Sequence, residues 1–103
     1  MISRQWRGFA KAACATEYEE HLRTETFPEL EKIPGFIDAS ILKRPLDHAV
    51  EFLVVTRWES LEAIARFAGA DTEAAVVPAK VQAMMIEYDR RVRHYEIAKP
   101  IAV

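Results

Sequence analysis

The sequence predicts an α+β domain, and three features of its 103 residues lead to that fold class. Half of the residues are hydrophobic, which is enough for a packed core. Some apolar segments alternate with the two-residue period of strands, and others repeat with the period of helices. Prolines and glycines separate these segments. We therefore expect the order β-α-β-β-α-β within a single domain over residues 1–103.

The first strand is predicted over residues 2–9, where polar and apolar residues alternate loosely. Successive side chains of a strand point to opposite faces. Arg4 and Trp6 therefore share one face, and Gln5 and Arg7 share the other.

The first helix is predicted to begin at Thr16, because Thr16 and Glu19 have the spacing of a capping box. Tyr18 belongs to its apolar side. Pro28 interrupts the pattern, and the turn at Gly35 ends it, so we expect a broken last turn.

Two further strands are predicted over residues 36–44 and 50–58, which are rich in β-branched and aromatic residues. The short polar connection between them favours an antiparallel hairpin. The second of these strands is apolar on both faces, so we expect both of its faces to be covered.

The second helix is predicted to begin after Ser60, an N-cap residue, and to end at Gly69. Residues 71–77 could add a further helical turn or two. Pro78 is expected to open a short helical piece, since proline suits the first turn of a helix.

The last strand is predicted over residues 90–97, with an earlier start near Met85 left open. The resulting order is that of a ferredoxin-like βαββαβ protomer with an antiparallel sheet. Helices cover one face of such a sheet, yet the strands are apolar on both. We therefore expect a homodimer in which the second faces meet.

Composition excludes several classes of function. Fourteen Lys and Arg against sixteen Asp and Glu leave no basic surplus, so no nucleic-acid partner is expected. Cys14 is the single cysteine and the three histidines are scattered, which predicts no metal site. No glycine-rich phosphate loop or dinucleotide fingerprint supports a cofactor. Without a membrane-length apolar run or a signal peptide, we expect no membrane partner and a cytoplasmic protein.

His94 is the first candidate for a catalytic role, because a neutral imidazole on a strand could accept a proton from a phenol or quinol. The alternative is that His94 pairs with a carboxylate such as Glu51 and only orders the sheet. His21 and His48 are predicted to be solvated surface residues.

The aromatic residues could fill the core or line a pocket for a flat ligand. Trp6 and Trp58 are open to both interpretations. Arg4, on the face of Trp6, could hold a phenolate, or it could form a buried pair with Glu51. Tyr95 could donate to a ligand carbonyl or pack as an interface ring.

The sequence resembles the antibiotic biosynthesis monooxygenase family in segments along nearly the whole chain. These segments are residues 4–8, 51–64, 67–69, 75–78 and 92–96. The resemblance implies a dimeric α+β barrel of ferredoxin-like protomers. It also implies a family that includes cofactor-free oxygenases of aromatic polyketide and quinol substrates, haem-degrading enzymes and members without known activity.

From this resemblance we expect a small cofactor-independent monooxygenase of an aromatic or quinol-type ligand. His94 would be the base and Arg4 the anion holder, with Trp6, Trp58, Phe67 and Tyr95 as substrate-binding residues. The alternative is a non-catalytic dimeric barrel that serves in stress response or binds a small ligand.

The resemblance does not extend to the haem-degrading branch, which uses a Trp and a His in the second helical region. Phe67 lies where that Trp would be, and residues 75–77 offer no axial ligand. Neither haem nor another cofactor is expected.

Overall fold

One antiparallel sheet with helices on a single face makes up the chain, and the computed structural model describes residues 1–99. The strands are β1 (Ile2–Lys11), β2 (Phe36–Pro45), β3 (Ala49–Trp58), β4 (Met85–Tyr88) and β5 (Arg93–Glu96). The helices are α1 (Ala15–His21), α2 (Phe27–Glu31), α3 (Leu61–Ala68) and α4 (Ala79–Gln82). A 3₁₀ turn (Ala12–Cys14) precedes α1, and a π-helical turn (Leu22–Thr26) joins α1 to α2.

The strand order is β2-β3-β1, with β4 and β5 both paired to the remaining edge of β1. This is the predicted ferredoxin-like arrangement, and the predicted hairpin of β2 and β3 is confirmed.

The predicted last strand over residues 90–97 is wrong in its bounds, because the structure divides this region into β4 and β5. Between them the backbone leaves β1 and pairs with the segment after α3. Arg91 forms a bridge with Ala74, and the Val92 amide donates to the Glu73 carbonyl at 2.8 Å.

The predicted capping box at Thr16 is wrong. Helix α1 begins at Ala15, directly after the 3₁₀ turn, and its start carries no side-chain cap. The Ala15 amide donates to the Ala12 carbonyl instead, so the turn supplies the acceptor that a cap would have given. The expected interruption at Pro28 is confirmed, since α2 begins afresh with Pro28 in its first turn.

Both predicted caps of the second helix are confirmed in α3. The Ser60 hydroxyl accepts from the Ala63 amide at 3.2 Å, and Gly69 ends the helix with φ of 85°. The possible helical turns over residues 71–77 are absent, because this segment bends and pairs with residues 90–92. Helix α4 follows Pro78 as predicted.

The register places Arg4, Trp6 and Gly8 opposite Thr56, Val54 and Phe52 of β3, respectively. These residues face the helices, and Phe52 and Trp58 are completely buried there. The other face of the sheet is covered by nothing in residues 1–99, so the expectation that both faces of β3 are covered is not met within one chain. Leu53 and Val55 are half-buried on this open face.

Candidate functional site

A cavity of about 80 Å³ lies between the sheet and the helices. The sheet forms one wall of the cavity. On this wall Arg4 is the most polar side chain and Trp6 is the largest. Helix α1 and the π-helical turn form the opposite wall, and the segment 76–78 closes a third side. The lining residues are Arg4, Trp6, Tyr18, His21, Leu22, Thr26, Phe27, Leu30, Val54, Thr56, Phe67, Val76, Val77, Pro78, Val81 and Val92.

Arg4 supplies the charge of this cavity and is only 5% exposed. Its Nη1 donates to the Thr72 carbonyl, and its Nη2 donates to the Ala74 carbonyl at 2.9 Å. The guanidinium carbon lies 5.7 Å from the centre of the Phe67 ring. Burial lowers the pKa of Arg4 to about 10, so the group remains a cation at neutral pH.

The alternative pairing of Arg4 with Glu51 is not found. Glu51 lies on the open face of the sheet, where it accepts from Arg44 Nε at 2.7 Å and pairs with Arg7 Nε at 3.2 Å. Within residues 1–99, no carboxylate forms an ion pair with Arg4. The cavity therefore holds a buried positive charge that residues 1–99 leave without a counter-ion.

His94 lies beside Arg4, at 2.9 Å from Nη1 to the imidazole Nε2. A guanidinium can only donate, so Nε2 accepts and the imidazole is the neutral tautomer with its proton on Nδ1. Burial, and then the charge of Arg4, lower the pKa of His94, while Glu73 acts weakly in the opposite direction. His94 does not line the cavity and contacts it through Arg4.

The predicted aromatic residues divide into two groups. Trp6 and Phe67 line the cavity, and the Trp6 Nε1 donates to the Asp89 carbonyl at 2.9 Å. Trp58 lies beneath Phe67, with 6.2 Å between ring centres, and donates to the Thr56 hydroxyl at 2.8 Å. Tyr95 is 49% exposed and, opposite Ser3 in the register, belongs to the open face.

The prediction that His21 is a solvated surface residue is wrong. His21 is only 8% exposed and lines the cavity, and its Nδ1 lies 3.1 Å from Glu25 Oε2. The acidic residues around it in sequence suggested a wet surface. The available signal was its position three residues after Tyr18, which places both on one helix face.

Tyr18 completes the polar groups of the helical wall. Its ring packs edge-on against Phe52 with 4.9 Å between centres and lies 6.0 Å from Trp6. Burial raises the pKa of Tyr18, so its hydroxyl remains protonated and can serve as a hydrogen-bond donor.

Among residues 1–99, no cluster of His, Cys, Asp or Glu has the geometry of a metal site. None of the helices in the same range has the length and apolar character needed to cross a membrane.

Residues 1–78 match the family model described as antibiotic biosynthesis monooxygenase. A similar solved structure is a protein from Bacillus cereus assigned as an antibiotic biosynthesis monooxygenase, with 23% identity over 97% of each chain and a TM-score of 0.66. The haem degrader MhuD from Mycobacterium tuberculosis shares 20% identity over 99% of this chain and 100% of its own, with a TM-score of 0.63. A variant of SnoaB, a cofactor-independent oxygenase from Streptomyces nogalater, shares 13% identity over 97% of this chain and 96% of its own, with a TM-score of 0.62. Among curated proteins, none matches the sequence. The similar structures support the ferredoxin-like α+β fold.

Proposed function

The chain belongs to the antibiotic biosynthesis monooxygenase family, and from this premise we propose that it is a cofactor-independent monooxygenase of phenolic aromatic or quinol-type substrates. The observation that carries the proposal is Arg4, a buried cation without a carboxylate partner that borders an aromatic cavity. A cation in such a place stabilises an anionic oxygen more strongly than it would in water.

The cavity has the composition that a flat aromatic ligand requires. Trp6 and Phe67 offer ring faces, and Val54 and Val77 add aliphatic surface. Its present volume of about 80 Å³ is smaller than that of pockets that enclose drug-sized ligands, roughly 300–1,000 Å³. Binding would therefore enlarge the cavity, and the segment 76–78, which has no helix or strand pairing of its own, is the wall that we propose to move outward.

The proposed reaction uses O₂ as oxidant and the substrate as the source of all electrons. Loss of a hydroxyl proton gives a phenolate that transfers an electron to O₂, and the two radicals then combine to form a carbon–oxygen bond. Cleavage of the oxygen–oxygen bond releases one oxygen atom as water and leaves the other in the product. An anthrone methylene thus becomes a carbonyl, and a quinol becomes a hydroxyquinone, without an external reductant.

Arg4 keeps the role predicted from the sequence, since it would hold the phenolate oxygen. His94 accepts a hydrogen bond from Arg4 and so fixes the position of the guanidinium. Its role as base stays a prediction, because the Nε2 lone pair is engaged by Arg4. The His94→Gln variant tests whether His94 accepts the substrate proton or only fixes the position of the Arg4 guanidinium.

Haem degradation, the activity of MhuD, is not part of the proposal. Val76 and Val77 border the cavity where the haem-degrading branch has its axial histidine, and neither offers a ligand atom.

We propose further that the chain forms a homodimer through the open face of the sheet. Leu42 is about half exposed on this face, opposite the half-buried Leu53 in the register, and Val55 lies two residues further along β3. Tyr95 is also about half exposed on this face, on the other side of β1. Exposed apolar surface on an uncovered sheet face is typical of an interface. Sedimentation is expected to show a dimer at micromolar concentration, and Leu53→Arg is expected to give a monomer. A stable wild-type monomer would contradict this.

The second function that the site supports is binding of a small ligand without catalysis. The observation that favours it is the satisfied Arg4–His94 contact, which leaves His94 without access to the cavity. In that case the protein would bind phenolates and leave them unchanged.

Oxygen consumption with anthrones and quinols separates the two functions. We expect O₂ uptake by the wild type and transfer of one ¹⁸O atom from ¹⁸O₂ to the product. Arg4→Met is expected to lower kcat/KM by about 100-fold, in the range seen when one donor to a developing oxyanion is removed. The control is Arg23→Met, an exposed arginine outside the cavity. Binding of these substrates without O₂ uptake would leave the second function.

A further inference from the structure

The helical wall of the cavity contains a carboxylate–imidazole pair that the reaction as described above does not use. His21 Nδ1 lies 3.1 Å from Glu25 Oε2, and the same oxygen accepts from Lys80 Nζ at 2.8 Å. His21 is buried while Glu25 is half exposed. The pair thus connects the cavity to a charged groove on the surface.

The hydrogen bond defines the state of the imidazole. Lys80, and then His21, lower the pKa of Glu25, so its side chain is a carboxylate that can only accept. His21 Nδ1 therefore carries a proton, and in the neutral form of the ring the lone pair is on Nε2. This is the arrangement in which a carboxylate orients an imidazole for proton transfer.

The position of Nε2 is inferred from the contact that Nδ1 makes. His21 borders both the surface groove and the cavity, and Glu25 holds its Nδ1 edge at the groove. His21 Nε2 has no hydrogen-bond partner among residues 1–99, where every fully enclosed side-chain nitrogen or oxygen has one. Nε2 therefore has accessible surface, and we place it at the cavity, on the side of the ring away from Glu25.

We infer that His21 is the proton acceptor of this cavity, that Glu25 positions it, and that the substrate is a quinol with oxygens at opposite ends. Arg4 on the sheet would hold one oxygen as the phenolate, and His21 on the helix would accept the proton of the other hydroxyl when the phenolate gives up its electron. The hydroxyl proton moves to Nε2, its bonding pair stays on oxygen, and the imidazolium is stabilised by Glu25. This inference rests on the proposed function, whose substrate class it narrows.

Several charged groups surround His21. Glu25 and Lys80 meet at its outer edge, and Glu17 and Glu20 line the same surface groove. Arg4 is the cation across the cavity. Protonated His21 cannot accept a proton, so we expect a lower rate in acid.

Matched variants test the inference on two probes. The probes are 1,4-dihydroxynaphthalene, a quinol, and 4-methoxy-1-naphthol, which has one free hydroxyl. The wild type is expected to favour the quinol at least tenfold in kcat/KM. His21→Gln should lower kcat for the quinol by about 100-fold and abolish the preference. Controls are His48→Gln, in an exposed turn, and Glu29→Gln, in an exposed pair with Lys32.

Glu25→Gln tests whether Glu25 positions the His21 imidazole or only stabilises the fold. Because Glu25 is half exposed, we expect the variant to fold normally. The amide no longer stabilises the imidazolium, so kcat should fall about tenfold while KM stays unchanged. An unchanged kcat, or a rise in KM alone, would overturn the role of Glu25. Unchanged quinol preference and kcat in folded His21→Gln would overturn the inference as a whole.

A binding measurement distinguishes a failure of the His21 inference from a failure of the proposed monooxygenase function. Anthraflavic acid, 2,6-dihydroxyanthraquinone, has its hydroxyls on two different rings, so it has no quinol ring, and it changes colour when a hydroxyl ionises. The wild type is expected to ionise the bound dye at a pH at which the free dye is neutral, and His21→Gln, in which only Arg4 remains, is expected to need a higher pH. A wild type that ionises the dye more readily than His21→Gln but consumes no O₂ would support His21 and refute the monooxygenase. Oxygen uptake together with equal ionisation in both proteins would refute His21 alone.

Discussion

The buried charge of Arg4 should make the cavity discriminate strongly between a phenolate and its uncharged methyl ether. Burial lowers the pKa of Arg4 to about 10, well below its ordinary value. The cationic form is therefore less favourable in the fold than in water by about 3 kcal/mol. An anion at the guanidinium that offsets this cost gains about the same amount, which corresponds to about 100-fold in affinity.

Calorimetric titration with 4-nitrophenol and 4-nitroanisole measures the discrimination at a pH at which the phenol is fully ionised. The wild type should bind the phenolate up to about 100-fold more tightly than the ether. In Arg4→Met the ratio should fall close to one, while Arg4→Lys, which keeps the charge but loses the planar donor fork, should give an intermediate value. Arg23→Met is the control. Equal binding of both compounds by the wild type, or an unchanged ratio in Arg4→Met, would refute the reasoning.

Three further predictions concern residues around the cavity. Gly8→Ala places a Cβ 2.3 Å from the Trp6 ring, so the indole must move; we expect a loss of about 1–3 kcal/mol in urea denaturation together with altered Trp fluorescence. Ser60→Ala removes the α3 cap and should cost about 1 kcal/mol in the same assay, whereas Ser40→Ala, exposed on β2, should cost little. Because the pKa of His94 is lowered in the fold, the unfolded chain binds the proton first as the pH falls below roughly 6.5, and stability is lost there. His94→Gln should make the loss of stability between pH 7 and pH 5 shallower, and an equally steep loss would contradict this assignment.

The fold could be predicted from the sequence because its local signals agree. The β2–β3 hairpin follows from two β-rich segments and a short polar connection, and the ends of α3 follow from Ser60 and Gly69. The division of the last strand could not be predicted in this way. It depends on pairing between residues 90–92 and residues 73–75, which are distant in the sequence and have no strand pattern.

The two walls of the cavity differ in how far the sequence predicts them. On the sheet, the two-residue alternation places Arg4 and Trp6 on one face, and the structure confirms that both border the cavity. On the helical side, the capping box suggested the wrong start, and a π-helical turn breaks the 3.6-residue period after His21. The burial of His21 was therefore hidden by its acidic neighbours in the sequence.

The pairing of Arg4 is the feature that local patterns describe least well, and it bears most directly on function. Glu73 lies between Thr72 and Ala74, whose carbonyls both accept from Arg4, so a carboxylate is available in the same segment. That carboxylate instead lies 3.5 Å from Arg91 on the surface. An arginine that served only to secure this segment would gain stability from a nearby counter-ion, because an unpaired buried charge is costly. A guanidinium whose neighbouring carboxylate is directed elsewhere remains free to bind an external anion, and this is the property that the proposed substrate requires.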